Sequence, residues 1–311
     1  MSLSVGIVGL PNAGKSTLFN ALAARRLAET APRPFTTIDP HEAVVAVPDS
    51  DLEKLSQLIK PETTVPATVT FIDIAGLVKG AHKGEGLGNQ FLAKIREVDA
   101  IVHVVRAFTN PEVSHQNPSG QQGSGDQILE GIEIVNLELE LGGIKEKPTI
   151  YVLNSDESKI NDVSMIRIID TVKQKFGGEA LAISAKLEEE FIDLEPEERK
   201  EYLKELGVEE GGLNRLVKKA YQLLNLITFY TIKGGKELHA WSLKEGKTAL
   251  DAAGEVHTDF AKNFIKAEVI NVDELLALGE WKEAKEKGKV RLEGRDYVVK
   301  DGDVVEFKIG T

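Results

Sequence analysis

The sequence predicts an α/β fold, a mainly parallel sheet flanked by helices, followed by a small α+β roll. Three observations carry this. Short apolar, β-branched runs alternate with helix-like segments through the first two-thirds of the chain, a pattern that requires crossover helices and therefore parallel strands. A glycine-containing loop joins the first such strand directly to the first helix. Around Leu226 the alternation gives way to strands gathered about one or two short helices.

Taken in order, the predicted strands of the first part are Leu3–Val8, Ala43–Val47, Thr68–Ile72, Ala100–Val105, Thr149–Leu153 and Ala180–Ser184, with a helix opening at Lys15–Arg25. Asn117–Gly125 (NPSGQQGSG) has no periodicity and reads as a loop. Glu188–Glu201 is strongly acidic and reads as a solvated helix with its approach. In the last part, Glu237–Leu243, Ile265–Val269, Tyr297–Val299 and Val304–Lys308 read as strands and Thr258–Phe264 as a short helix, with Lys300–Asp303 (KDGD) a turn. The expected domains are 1–226 and 227–311.

A chain of 311 residues suits two domains. The formal charge is −12, from 38 basic and 50 acidic residues, which disfavours indiscriminate binding to a phosphate backbone. With no cysteine, disulfides and thiolate metal sites are excluded. No apolar run is long enough to cross a bilayer, so the expected setting is the cytoplasm. Nothing demands more than a monomer.

Gly9-Leu-Pro-Asn-Ala-Gly14-Lys15-Ser16 fits G-x-x-x-x-G-K-[ST] between strand and helix. Small residues let the backbone wrap a phosphate so that successive N–H groups point inward, and the helix start adds its positive dipole end. The cradle comprises Asn12, Ala13, Gly14, Lys15, Ser16 and Thr17. Lys15 brings a full charge to the β- and γ-phosphates, and Ser16 offers a hydroxyl to Mg²⁺.

A threonine in Pro34-Phe35-Thr36-Thr37 can close over a γ-phosphate and donate to the metal's shell. Thr37 is the choice, with Thr36 its neighbour. Phe71-Ile-Asp73-Ile-Ala-Gly76 is an apolar strand ending in a carboxylate that can support Mg²⁺, followed by a glycine whose N–H can sense the γ-phosphate. The expected metal residues are thus Ser16, Thr37 and Asp73. Many related switches place a water-orienting glutamine after this glycine; here Leu77 stands there. A catalytic group must come from elsewhere, and His82, Lys83 and His115 lie in candidate loops.

Asn154-Ser155-Asp156-Glu157 ends a strand where guanine-specific switches carry N-K-x-D. Ser155 replaces the lysine and Glu157 the aspartate. The longer side chain spoils the paired acceptance of guanine N1–H and N2–H₂, and unpaired polar groups cost discrimination. ATP is favoured, with a tolerant GTP-binding site as the alternative. Ser184 and Ala185, in Ile183-Ser184-Ala185-Lys186, end a further strand and complete the base site.

These motifs, in this order, resemble the YchF family of Obg-related P-loop ATPases. GLPNAGKST (Gly9–Thr17), PFTTIDP (Pro34–Pro40), DIAGLVKGAHKGEGLGNQFL (Asp73–Leu92) and NSDE (Asn154–Glu157) all match its pattern. AAGEVHTDFAKNFIKAEVI (Ala252–Ile270) and GRDYVVKDGDVVEF (Gly294–Phe307) are similar to its C-terminal TGS domain. The resemblance implies a Ras-like G domain and a ubiquitin-like β-grasp domain, ATP preferred over GTP with Mg²⁺, and association with the ribosome through the large subunit or the 70S particle. The alternative from another class is a ribosome- or RNA-binding module, in contact with RNA through the TGS domain and with hydrolysis secondary. By that resemblance the assisting histidine is His115, which with Lys15 and Gly76 makes the expected catalytic set. The family carries a long antiparallel helical arm before the base-reading strand; here Glu138–Leu141 runs through Gly142-Gly143 to Ile144 and Pro148 almost directly, so the arm is absent. From Thr228 onward the charge is −2, with 14 basic and 16 acidic residues. Lys282–Lys289, Arg291 and Arg295 form either a basic face or a solvated charged helix.

Overall fold

In sequence order the first strand–helix pair is β1 (Ser4–Val8) and α1 (Lys15–Glu29), followed by β2 (Glu42–Ala46), α2 (Ser50–Ile59), β3 (Thr63–Val65), β4 (Thr68–Asp73) and α3 (Leu87–Glu97). Then come β5 (Ala100–Arg106), α4 (Gly125–Leu141), β6 (Thr149–Asn154), α5 (Val163–Phe176), β7 (Glu179–Ile183), α6 (Ala185–Glu190), α7 (Pro196–Glu205) and α8 (Gly212–Leu223). The structure is a computed structural model that describes residues 3–29, 41–74, 87–109, 124–144 and 147–310.

The chain divides into two units, one of residues up to 45 with 69–224, the other of 46–68 with 225–311. In the first, six strands run in the order β2-β4-β1-β5-β6-β7. β1 pairs in parallel with both β4 and β5, β5 with β6, and β6 with β7. Strands buried on both faces read as continuous apolar runs because crossover helices cover each side. On one face Val8, Ile101, Val105, Tyr151 and Leu153 pack against buried residues of α3, α4 and α5. Residues alternating with them point the other way, where α8 lies on β6 and β7 and α1 packs against α6. This is the mainly parallel sheet with helices on both faces that the alternation predicts.

The second unit continues with β8 (Leu226–Lys233), β9 (Glu237–Lys244), α9 (Ala249–Val256), α10 (Thr258–Lys262), β10 (Phe264–Asn271), α11 (Val272–Leu278), α12 (Trp281–Glu286), β11 (Arg291–Glu293) and β12 (Asp303–Ile309). Its sheet has the order β11-β10-β12-β8-β9-β3. β8 and β12 pair in parallel at the centre, and β9 and β10 flank them antiparallel. α9 lays Ala249, Ala252 and Ala253 over Phe229, Leu243, Val269 and Val305, which is a β-grasp roll. Tyr297–Val299, expected as a strand, makes only the single bridge from Val298 to Thr248: the alternation is there, but the segment lacks a strand partner for its full length.

The segment 46–68 belongs to this second unit, and the expected division at residue 226 missed that. β3 adds in parallel to β9, with Thr63 opposite Glu237 and Val65 opposite His239. α2 packs against α11 and buries Leu52 and Leu55. Asp49 caps α2 by accepting from the Asp51 and Leu52 N–H groups at 3.0 and 2.9 Å. The buried Tyr230 hydroxyl donates to both oxygens of the same carboxylate at 3.0 and 2.9 Å, and burial beside Asp49 holds the phenol well above its ordinary pKa. A three-residue strand whose partner lies some 170 positions away has no local signature. Among the described residues no helix is long and apolar enough to cross a membrane.

The connection from α4 to β6 is residues 142–148. Gly142 caps α4, its N–H donating to the Glu138 carbonyl at 2.9 Å, and Gly143 follows at φ +73°. No arm interrupts it.

Candidate functional site at the strand ends

The site is assembled where β1, β4 and β6 end. The parallel register sets Ile7 beside Asp73 and Arg106 beside Asn154, so three loops distant in sequence leave the sheet at one edge. Open α/β sheets bind ligands at the carboxyl ends of their strands.

The loop after β1 turns through Gly9, at φ +155°, Asn12, at +61°, and Gly14, at +92°. A side chain at Gly9 would strike the Val104 carbonyl, and one at Gly14 the Asn154 amide. These two glycines are therefore required by close approach as well as by conformation. Lys15 folds back over the loop, its Nζ donating to the Leu10 carbonyl at 2.9 Å. Burial lowers its pKa, and the Asp73 carboxylate works against that shift. Lysine and aspartate thus share one electrostatic neighbourhood. Ala13 is buried, whereas Ser16 is exposed and Thr17 partly so at the start of α1.

Asn154 ties the site together. Its Nδ2 donates to the Ala13 carbonyl at 2.9 Å, and its Oδ1 accepts from the Ala185 N–H at 3.0 Å. The Ser155 N–H donates to the Ile183 carbonyl at 2.9 Å. Ser184 caps α6 through its hydroxyl, which accepts from the Leu187 N–H at 3.3 Å. The phosphate loop, the base-reading loop and the Ser184–Ala185 turn therefore converge. Glu157 is exposed at the start of a 3₁₀ turn, Glu157–Lys159. Asp156, not singled out from sequence, fixes this loop: it accepts from the Thr109 hydroxyl at 3.2 Å and pairs with Lys159 at 3.2 Å. Its one local signal is an acidic residue three positions before a lysine.

Thr36, Thr37, Gly76, Leu77, His82, Lys83 and His115 lie outside the described residues. Of the expected metal set, Ser16 and Asp73 are described. Both are hard oxygen donors, at the ends of adjacent strand–loop segments, and suit a cation that keeps most of its water and phosphate ligands.

The acidic stretch read as solvated differs from expectation at Glu188. That side chain is buried and accepts from the Gly212 N–H. Burial raises its pKa, and the Gly212 and Leu213 N–H groups hold it back. In the second unit the residues read either as a basic face or as a solvated charged helix are largely paired. Lys285 pairs with Glu268 at 2.6 Å, Lys287 with Glu283 at 2.7 Å, Lys289 with Glu274 at 3.1 Å and Arg291 with Glu293 at 3.4 Å. Arg295 donates to the Phe264 carbonyl at 3.2 Å.

One buried histidine was also missed. His103 on β5 stands opposite Val8, 1% exposed, and neither ring nitrogen finds a partner among the described residues. Burial, reinforced by the Lys15 charge, lowers its pKa to about 3. The unfolded chain takes up this proton near pH 6.5. The stabilisation from keeping the imidazole neutral is therefore complete above pH 6.5 and is lost as pH falls towards 3. Between pH 7.5 and 5 this group alone should cost about 2 kcal/mol of unfolding free energy. Urea titrations followed by far-ultraviolet circular dichroism would show it, and His103→Leu should remove that part of the slope. An unchanged slope would remove His103 from the account.

The strand–loop–helix cradle and the converging base loop define a P-loop nucleotide-binding G domain joined to a β-grasp unit. Comparison with known proteins narrows this. A family model described as a 50S ribosome-binding GTPase matches residues 4–155. A second, for the C-terminal part of YchF GTPases and described as a protein of unknown function, matches residues 226–310. The chain is 40% identical to the ribosome-binding ATPase YchF of Bacillus subtilis over 371 positions, covering 99% of both chains. It is likewise 40% identical over 367 positions to the protein of that name from Escherichia coli O157:H7. The solved structure of the Schizosaccharomyces pombe YchF GTPase superposes with a TM-score of 0.80 at 30% identity, covering 99% of this chain and 98% of that one. The chain belongs to the YchF family. Alignments of 367 and 371 positions against 311 residues mean that these relatives carry a substantial stretch with no counterpart here.

Proposed function

We propose that this protein is a ribosome-associated, Mg²⁺-dependent ATPase in which ATP binding and hydrolysis switch its state. The carrying observation is the base-reading loop: Asn154 locks it to the phosphate cradle, while a glutamate, Glu157, stands where guanine recognition needs an aspartate. The curated relatives are named as ribosome-binding ATPases, and that supports both halves of the reading.

In this reading Asn12, Ala13, Gly14, Lys15, Ser16 and Thr17 hold the phosphates, and Asn154, Ser155, Glu157, Ser184 and Ala185 hold the base. Ser16, Thr37 and Asp73 hold Mg²⁺, which when bound neutralises charge on the β- and γ-phosphates. Gly76 senses the γ-phosphate, Lys15 stabilises developing charge, and His115 positions water in the absence of a glutamine at Leu77. The division of labour is a nucleotide domain over 1–226, apart from 46–68, and a TGS domain thereafter. The protein works as a cytoplasmic monomer that contacts the large subunit or the 70S particle. Because Lys285, Lys287 and Lys289 are paired within their own unit, RNA contact by the TGS domain rests on shape and backbone groups more than on a free basic face.

A calorimetric panel of ATP, ADP, GTP and GDP with Mg²⁺, joined to salt-dependent co-sedimentation with ribosomes, tests the proposal. ATP should bind more tightly than GTP, and the protein should travel with ribosomes at low salt. Tighter GTP binding would overturn the base assignment, and no sedimentation at low salt would overturn the partner.

A further inference from the structure

We infer that Tyr202 is a specificity-positioning residue that sets the adenine preference by holding one oxygen of Glu157. The inference rests on the reading of Glu157 as the residue that meets the base edge.

The Tyr202 hydroxyl donates to Glu157 Oε2 at 3.4 Å. Contacts of this kind are often long before a ligand arrives and tighten in the bound complex. The Glu157 charge, with burial, holds the phenol above its ordinary pKa, so it stays a donor at any working pH. The ring is held from behind by Phe191, edge-on at 5.8 Å and 83°, itself 2% exposed. Arg199 Nη2 donates to the Phe191 carbonyl at 2.6 Å, fixing the approach to α7. A second tie joins the base loop to the far end of the same helix: Asn161 Nδ2 donates to the Gly207 carbonyl at 2.8 Å and the Leu206 carbonyl at 3.3 Å. The acidic helix that looked merely solvated in the sequence thus backs the base-reading loop at two points.

The chemistry follows from what each base offers. Guanine presents two donors side by side, N1–H and N2–H₂, which match both oxygens of a freely oriented carboxylate. Adenine presents one donor, N6–H₂, beside an acceptor. A carboxylate drawn towards the phenol through Oε2 turns that oxygen aside and presents Oε1 to the base, although Oε2 keeps a second lone pair. That suits adenine's single donor and denies guanine its pair. Specificity here is an element built against the competitor.

The test measures Kd for MgADP and MgGDP by calorimetry in the unaltered chain, Tyr202→Phe, Glu157→Ala and the double variant. Tyr202→Phe frees the carboxylate, so the preference for ADP over GDP should fall roughly five- to tenfold, mainly through tighter GDP binding. In the Glu157→Ala background the same change should move the ratio less than about twofold. A Tyr202→Phe ratio within twofold of the unaltered chain overturns the inference, as does the same shift in the Glu157→Ala background. If Glu157→Ala itself leaves the ratio unchanged, the base-reading assignment falls and takes the tyrosine with it. If Glu157→Ala moves the ratio and Tyr202→Phe does not, the tyrosine inference alone is lost.

Discussion

Lys15→Ala is expected to reduce ATP turnover by on the order of 10²–10³-fold. The ammonium is held across the phosphate loop by the Leu10 carbonyl, within reach of the Asp73 field and partly withdrawn from water. A charge in that position acts in a lower dielectric than bulk water, so its loss is worth more than that of a surface lysine. Lys15→Arg should not restore activity, because a planar fork does not fit the seat of a compact point charge. Single-turnover hydrolysis with saturating MgATP is the measurement. Turnover within tenfold of the unaltered chain would remove Lys15 from the catalytic set.

Asn154→Ala should have the largest effect on stability among the site residues, about 3 kcal/mol in the first unit. The side chain is buried, and it satisfies two backbone groups, the Ala13 carbonyl and the Ala185 N–H. Removing it leaves both without a partner, at about 1–3 kcal/mol each. Asn154→Asp keeps an acceptor for Ala185 but turns a buried carboxylate oxygen on the Ala13 carbonyl, so it should cost at least as much as alanine and likewise loosen the phosphate loop. Both variants should weaken ADP and GDP alike, unlike a change at Glu157. The two tryptophans, Trp241 and Trp281, both lie in the second unit, so their fluorescence would miss the transition. Differential scanning calorimetry or far-ultraviolet circular dichroism reads the first unit directly. An Asn154→Ala midpoint equal to that of the unaltered chain would show that neither bond contributes.

Much of this arrangement is legible in the chain itself. The phosphate loop declares itself because each of its parts answers a local demand: glycines where the backbone approaches Val104 and Asn154, a lysine at the helix start, a hydroxyl after it. Asp73 is legible as the polar end of an apolar strand. The base loop is legible as Asn154 to Glu157 at the end of another. All are local patterns on a parallel sheet, and that sheet brings strand ends together whatever lies between them.

Other features are invisible before folding because they depend on contacts across the chain. Segment 46–68 has no composition that assigns it to the second unit; β3 meets β9, and Tyr230 meets Asp49, only once both are folded. Glu188 looks like one more solvated carboxylate until two backbone N–H groups of the 211–213 turn meet it. His103 looks like any scattered histidine until the sheet buries it beside Lys15. The sequence by itself determined the nucleotide class, the identity of the loops that hold it and the replacement of aspartate by glutamate at the base. Only the tertiary structure decided which groups stand behind those loops, Tyr202 among them. Hydrogen bonds between distant segments leave no local spacing to read, whereas the demands of a phosphate on the backbone around it do.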